Sequence, residues 1–274
     1  MTLELFPPRI LDFVTAGNGF LQKMYDQHRI AVQKIFNFVF LVVIWLLPKI
    51  LDATAIAYFF VQRLFRKNED TPLKVPSHIG FLFTEESEIS VEALSEMITQ
   101  CAVHKVPQVS FYDPFGRCVA KEEQLFKSIK SIWTRMEQED SKTRMPSIVI
   151  DVSSRNLNAR KISGSASETL RVTLLTRTDG KPKLVDMCKE ICADSALPSA
   201  SVSTASISQK FQDVQLVEPD LLISVGAVST FAGFPPWSVR VTEIVPVPTL
   251  CPVSSDIFVD FLQAFSRRNR RLGR

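Results

Sequence analysis

No glycine-rich phosphate loop occurs in this chain. Neither GxGxxG nor GxxxxGK[ST] is present, and Gly17-Asn18-Gly19 precedes an apolar block instead of following a strand, which leaves out nucleotide sites built on such loops. A GxSxG elbow is also missing, so the α/β-hydrolase type of nucleophile is excluded. Cysteine is sparse, odd in number and never spaced as CxxC: Cys101, Cys118, Cys188, Cys192 and Cys251. Cys188 and Cys192 share a face if their segment is helical. They supply two zinc ligands where a closed site needs four, and the alternative is a set of buried reduced thiols suited to a reducing compartment. A net charge of +3 offers no electrostatic reason to bind nucleic acid. The N-terminus lacks a basic start leading into an apolar core, because Glu4, Pro7, Pro8 and Asp12 intervene; it is not a standard secretory signal. No internal repeat is visible.

What is present is a chain of 274 residues, 46% apolar and 22% charged, enough for one large α/β domain with an appendage. The appendage follows an N-terminal segment, 1–29. Between 30 and 65 lies the apolar mass. Ile35–Leu47 reads IFNFVFLVVIWLL without a charge, Pro48 and Lys49 interrupt, and Ile50–Val61 resumes with only Asp52 and Thr54 as polar members. Thirteen uncharged residues fall short of the ~20 that span hydrocarbon as a helix. Three arrangements fit: a tilted span followed by an interfacial helix, a re-entrant hairpin turning at Pro48, or a buried pair of soluble helices. Trp45, Tyr58 and the flanking basic residues favour a membrane anchor. Lys23, Arg29 and Lys34 before the block are balanced by Arg63, Arg66, Lys67 and Lys74 after it, so the charge rule leans only slightly toward a cytosolic C-terminal side.

A linker, 66–77, carries Pro72 and Pro76. Beyond it, from 78 to 274, strand and helix periods alternate. Strands are expected at Ile79–Phe83, Val109–Tyr112, Ser147–Val152, Leu170–Leu175, Leu221–Val225 and Ser238–Ile244. Helices are expected at Val91–His104 behind an N-cap at Ser90, at Lys121–Met136, Lys181–Ala193 and Ile257–Arg270. Such alternation argues for a mainly parallel central sheet flanked by helices. The serine-rich stretch 195–208 reads as a flexible loop. Asp113 and Asp151 end strands, where carboxylates either hold a metal or cap the next turn. His78 is a ligand or base on one reading and a structural residue on the other. Arg267, Arg268, Arg270, Arg271 and Arg274 form a solvated tail or a contact for anionic phosphates.

Two stretches carry a family resemblance. His78-Ile79-Gly80-Phe81-Leu82-Phe83-Thr84-Glu85-Glu86-Ser87-Glu88 is similar to the opening strand of cis-prenyltransferases, H-x-A-x-x-M-D-G-N-x-R. Asp220-Leu221-Leu222-Ile223-Ser224-Val225-Gly226-Ala227-Val228-Ser229-Thr230-Phe231-Ala232-Gly233-Phe234, then Trp237 and Glu243, resembles their D-L-L-I-R-T-G-G-E-x-R-L-S-N-F-x-x-W and following Glu. The frame of Asp220, Gly226, Phe234, Trp237 and Glu243 is kept. Thr84 stands in place of the magnesium-binding Asp and Glu88 in place of an Arg; Ser224 and Thr230 replace the two arginines that in the family grip isopentenyl diphosphate, and Ala232 replaces a serine. Carboxylates facing a diphosphate at short range in a low-dielectric cleft repel it by several kcal/mol in order of magnitude. The run Phe234-Pro235-Pro236-Trp237-Ser238-Val239-Arg240-Val241-Thr242-Glu243 and the terminal Arg271-Leu272-Gly273 resemble the Nogo-B receptor group of non-catalytic subunits within that family.

The resemblance implies a cis-prenyltransferase-like domain behind a membrane anchor. It implies a heterodimer or higher assembly with a catalytic subunit, dehydrodolichyl diphosphate synthase, that uses isopentenyl and farnesyl diphosphate. Magnesium would be bound by that partner. Arg271, Leu272 and Gly273 would complete the partner's active site, while Phe234, Trp237, Arg240 and Glu243 would be interface or framework residues, with Glu243 matching a family metal-site glutamate. The implied location is the endoplasmic reticulum membrane, with the C-terminal domain in the cytosol and no nucleic acid involved. A membrane receptor or scaffold outside catalysis is the alternative.

Overall fold

The structure is a computed structural model describing residues 33–47, 73–139, 145–153, 159–164, 167–193, 202–213, 216–250 and 254–268, with 29, 49, 50, 53, 54 and 57. The chain divides into two units, 1–58 and 59–274.

In the first unit, residues 33–47 are helical and form α1. Its apolar side chains point outward all round, Ile35 at 64% and Trp45 at 62% exposure. Phe36 and Phe40 stack one turn apart, and the Lys49 ammonium lies 3.5 Å from the centre of the Trp45 ring, a cation–π contact at the end of the apolar run. Among the described residues no helix is long and apolar enough to cross a membrane. Pro48, where the span and hairpin alternatives part, lies outside the described residues, as does most of the expected linker.

The second unit is a seven-stranded sheet in the order β4-β3-β5-β2-β1-β6-β7. The strands are β1 (His78–Phe83), β2 (Gln108–Asp113), β3 (Ser147–Val152), β4 (Arg160–Ile162), β5 (Thr169–Thr176), β6 (Leu221–Val225) and β7 (Glu243–Val247). Every pairing is parallel except β3 with β4. β1, an interior strand, is buried along its whole length, as a strand covered on both faces must be. Its side chains alternate between two cores. Ile79, Phe81 and Phe83 join α2 (Val91–Val103), α4 (Glu122–Glu139) and α7 (Ser255–Ser266) on one face. Leu82 joins Tyr112, Leu222, Phe234, Met187 of α5 (Lys181–Ala193) and Phe211 of α6 (Thr204–Asp213) on the other. Ser90 caps α2 as expected, its hydroxyl accepting the Ala93 N–H at 3.0 Å and satisfying one of the otherwise unpaired amides of the first turn. A short helix, α3 (Arg117–Ala120), precedes α4.

Two expectations are corrected, and one strand is added to those expected. Residues 204–208 belong to the first turns of α6 rather than to a loop, because Phe211 and Ile207 pack under the sheet. The last strand does not begin at Ser238: Pro236–Ser238 forms a single 3-10 turn and β7 starts at Glu243, level with Leu221. The antiparallel edge strand β4 has only three residues, too short for a pattern of period two to stand out.

Candidate functional site

The carboxyl ends of β1, β2, β6 and β7 meet at one edge of the sheet, the place where open parallel sheets bind ligands. Thr84 follows β1. Its N–H and its hydroxyl both donate to the Val225 carbonyl, at 2.9 and 3.0 Å. Gly226 next door has φ +126°, and a Cβ there would sit 2.2 Å from the Thr84 Oγ1; only glycine fits this crossing.

The acidic loop after Thr84 is engaged by the chain itself. Glu85 Oε1 accepts the Ala227 N–H at 2.9 Å. Glu86 pairs with the Arg117 guanidinium of α3. Glu88 Oε2 accepts the Thr249 hydroxyl at 2.7 Å and the Leu250 N–H at 3.3 Å. The loop after β1 is thereby tied to the loops after β2, β6 and β7. Beside it an open cleft is lined by Glu86, Ser87, Ile89, Arg117 and Lys121. Ser224 lies buried in β6, and the Thr230 hydroxyl accepts the Ala232 N–H at 3.2 Å. Neither brings a cation to this edge.

Magnesium does not fit these residues. The position at which the resemblance expects a carboxylate holds a hydroxyl whose proton is committed to Val225. Among the described residues no group of three or more His, Cys, Asp or Glu side chains is placed to hold a metal. Glu243 begins β7 at the amino end of the sheet, opposite to Thr84, and Arg268 reaches it at 2.8 Å while also bonding the Ile244 carbonyl. The structure therefore does not bring Glu243 and Thr84 together.

The remaining frame residues build packing. Phe234 meets Tyr112 edge-on, ring centres 5.3 Å apart, and the Tyr112 hydroxyl donates to the Ala232 carbonyl at 3.1 Å. Trp237 stacks on Phe211 of α6 and donates its indole N–H to Ser208 Oγ at 3.0 Å. Arg240 lies 3.8 Å from Glu218, whose other oxygen accepts the Val241 N–H. Asp220 accepts the Ser77 N–H at 2.7 Å just before β1. Arg271, Leu272 and Gly273 lie outside the described residues, as do Arg270 and Arg274.

Asp113 takes its capping role, accepting the N–H groups of Phe115 and Cys118 at 2.7 Å each. β5 separates its strand from that of Asp151, so the two carboxylates do not share a site. His78 is buried, its Nε2 2.9 Å from Ser110 Oγ, and desolvation pushes its pKa down from 6.5 to about 4. It is a neutral core residue. Cys101 and Cys118 are buried, with burial raising both thiols. Cys188 and Cys192 are exposed on α5, contrary to the expectation of buried thiols; it is Met187 that this helix turns into the core. Reasoning from sequence missed Arg117, Thr249, Ser208 and Phe211, because each acts through a partner distant in the chain and none belongs to a local pattern.

The architecture is that of a cis-prenyltransferase-like domain whose parallel sheet keeps the family frame. A sequence profile described as putative undecaprenyl diphosphate synthase matches residues 84–273, and the chain belongs to that family. It is 25% identical over 209 residues to the human protein named "Dehydrodolichyl diphosphate synthase complex subunit NUS1", covering 73% of this chain and 68% of that one. It is 24% identical over 217 residues to the Schizosaccharomyces pombe protein of the same description, covering 77% and 81%. Among solved structures it resembles lavandulyl diphosphate synthase from Lavandula x intermedia, crystallised with dimethylallyl diphosphate. The TM-score is 0.50 at 15% identity, over 73% of this chain and 99% of that one; this is a likeness of fold.

Proposed function

We propose that this chain is the non-catalytic subunit of a dehydrodolichyl diphosphate synthase complex, activating a catalytic cis-prenyltransferase in polyprenyl diphosphate synthesis for dolichol. One observation carries the reading. The sheet edge that would hold a diphosphate and its metal presents Thr84, Glu85, Glu86 and Glu88, and the three carboxylates are held by the chain's own donors. A site of this kind has neither the charge to bind a diphosphate nor the ligands for magnesium. The names of the similar human and fission-yeast proteins, both complex subunits, agree with it.

In that assembly magnesium and the isopentenyl and farnesyl diphosphates belong to the catalytic partner. Arg271, Leu272 and Gly273 would reach the partner's site. The physical basis is that a guanidinium forks onto an anion and glycine lets backbone N–H groups come close. Arg267 and Arg268, the last residues before the tail that are described, lie by the start of β7 at the sheet end opposite to the acidic loop. A tail starting there supports a role outside the chain's own degenerate edge. The exposed apolar helix α1, followed by the Trp45–Lys49 contact, supports a membrane anchor; the endoplasmic reticulum as its membrane and the cytosol as the side of the C-terminal domain are what the family resemblance implies.

The test is reconstitution with labelled isopentenyl diphosphate, farnesyl diphosphate and magnesium. This chain alone should be inactive. The catalytic subunit should turn over faster with it than without it, and deletion of 271–274 should remove the gain. A catalytic subunit indifferent to this chain would leave the second reading, a membrane receptor or scaffold, for which the exposed apolar α1 is the favouring observation.

A further inference from the structure

Cys188 and Cys192 stand where packing does not account for them. Cysteine is among the residue types most often buried, and Cys101 and Cys118 are buried, whereas Cys188 and Cys192 are free and exposed. Both belong to α5. The phase of this helix is fixed by what it turns inward. Met187 is buried, Leu184 a turn before it packs against the same core, and Ile191 a turn after it is half-buried. Cys188 and Cys192 lie beside that stripe on its solvent side, at the i, i+4 spacing that places one above the other. Helical neighbours at this spacing hold their Cβ atoms about 5–6 Å apart. A disulfide needs about 3.5–4.5 Å between them. The intact helix therefore keeps the sulfurs from bonding directly and leaves room for a single atom between them.

We infer that Cys188 and Cys192 form a binding site for a soft, thiophilic metal ion such as Cu(I), held between the sulfurs on the outer side of α5. Thiolate ligands select Cu(I), and this ion is satisfied by a pair of them in line. Zinc is not, since its closed sites take four ligands, and among the described residues no group of three or more His, Cys, Asp or Glu is placed to hold a metal. As Cu(I) binds, each thiol releases its proton to solvent and the copper keeps its oxidation state, so the loaded site is anionic. Lys181, Lys183 and Lys189 outnumber Asp186 and Glu190 along the helix and offset that charge. Cys101 and Cys118 do not compete, because burial shuts them off from an ion in solvent and raises both thiols. The inference uses α5 alone and not the partnership proposed above, so either can fail without the other.

The experiment is anaerobic competition for Cu(I) between the full chain in detergent micelles and the coloured chelator bicinchoninate, with ascorbate keeping the copper reduced. Every protein carries Cys251→Ser, which removes the thiol that lies outside the described residues. This parent should withdraw one equivalent of copper while its far-ultraviolet circular dichroism stays unchanged. Cys188→Ser and Cys192→Ser should each weaken the hold by about 100-fold or more, the scale by which two linked contacts exceed one. The paired change Cys192→Ser, Ala193→Cys keeps the number of thiols and uses another exposed position. It turns the second thiol roughly 140° from Cys188 around the helix and should not restore binding. Should one serine variant fail to fold, the other gives the same reading. A parent that takes no copper, or that loses helix in taking it, overturns the inference. So do serine variants, or a shifted pair, that bind copper as tightly as the parent.

Discussion

Gly226→Ala tests the crossing at which the family frame and the altered site meet. Gly226 has φ +126°, where a side chain is strained whatever the space around it, and its Cβ would lie 2.2 Å from Thr84 Oγ1. The backbone strain costs about 1–3 kcal/mol. Thr84 must also turn away, giving up its 3.0 Å bond to the Val225 carbonyl, a further loss of about 1 kcal/mol. The sum, about 2–4 kcal/mol, lowers the melting temperature by roughly 5–15 °C in a domain of this size. Urea unfolding of the full chain in micelles, followed by near-ultraviolet circular dichroism, measures it. The two contributions separate in a double-mutant cycle. With Thr84→Ala in place the offending oxygen is gone and only the backbone strain remains, so Gly226→Ala should cost about 1 kcal/mol less in that background. A Gly226→Ala variant as stable as the parent would refute the strain argument. Strict additivity of the two substitutions would refute the contact argument.

Other outcomes follow from the packing, the buried histidine and the tail. Trp237→Ala removes the stack on Phe211 and the bond to Ser208, and should destabilise by about 3 kcal/mol, the low end for an aromatic truncation because Trp237 is only partly buried; a urea midpoint equal to the parent's would contradict this. His78 is held neutral, its pKa depressed from 6.5 to about 4 by burial. Its contribution is whole above about pH 6.5 and is lost as the pH falls toward 4, a loss of about 3 kcal/mol. His78→Asn should flatten the stability–pH slope between those values, and identical slopes would refute the assignment. Gly273→Ala should reduce turnover of the reconstituted complex while co-purification with the catalytic subunit stays unchanged, and a loss of association would contradict the proposed role of the tail.

Much of the domain was legible in the chain because its signals are local. β1 and β6 read as strands since HIGFLF and LLISV are short apolar runs of the kind that strands covered on both faces need, and β3 reads as one from SIVIDV, whose alternate residues are buried and half-buried. α2 announced itself through Ser90 and an apolar stripe, and the bond from Ala93 shows why that residue begins a helix. The family frame was also readable, as were Thr84, Glu88, Ser224 and Thr230 at positions where the resemblance expects charged working groups. Those are identities at fixed spacings and need no knowledge of contacts.

What tertiary structure decided is where each polar group goes. The order β4-β3-β5-β2-β1-β6-β7 is set by packing between elements far apart in the chain. It alone puts Glu88 within reach of Thr249 and Leu250, across 161 and 162 residues. From sequence the acidic loop could be read only as repulsion toward an anion; folded, the same carboxylates are anions already bound. Glu243 reads as part of one site with the loop after β1, yet a parallel sheet has two ends, and the register Leu221–Glu243 sends it to the end away from Thr84. The first turns of α6 were hidden because serines carry no hydrophobic period, and their helix is held by Phe211 under Trp237. A residue's type and spacing are written in the chain, but the partner that satisfies its charge or hydrogen bond is chosen by the fold.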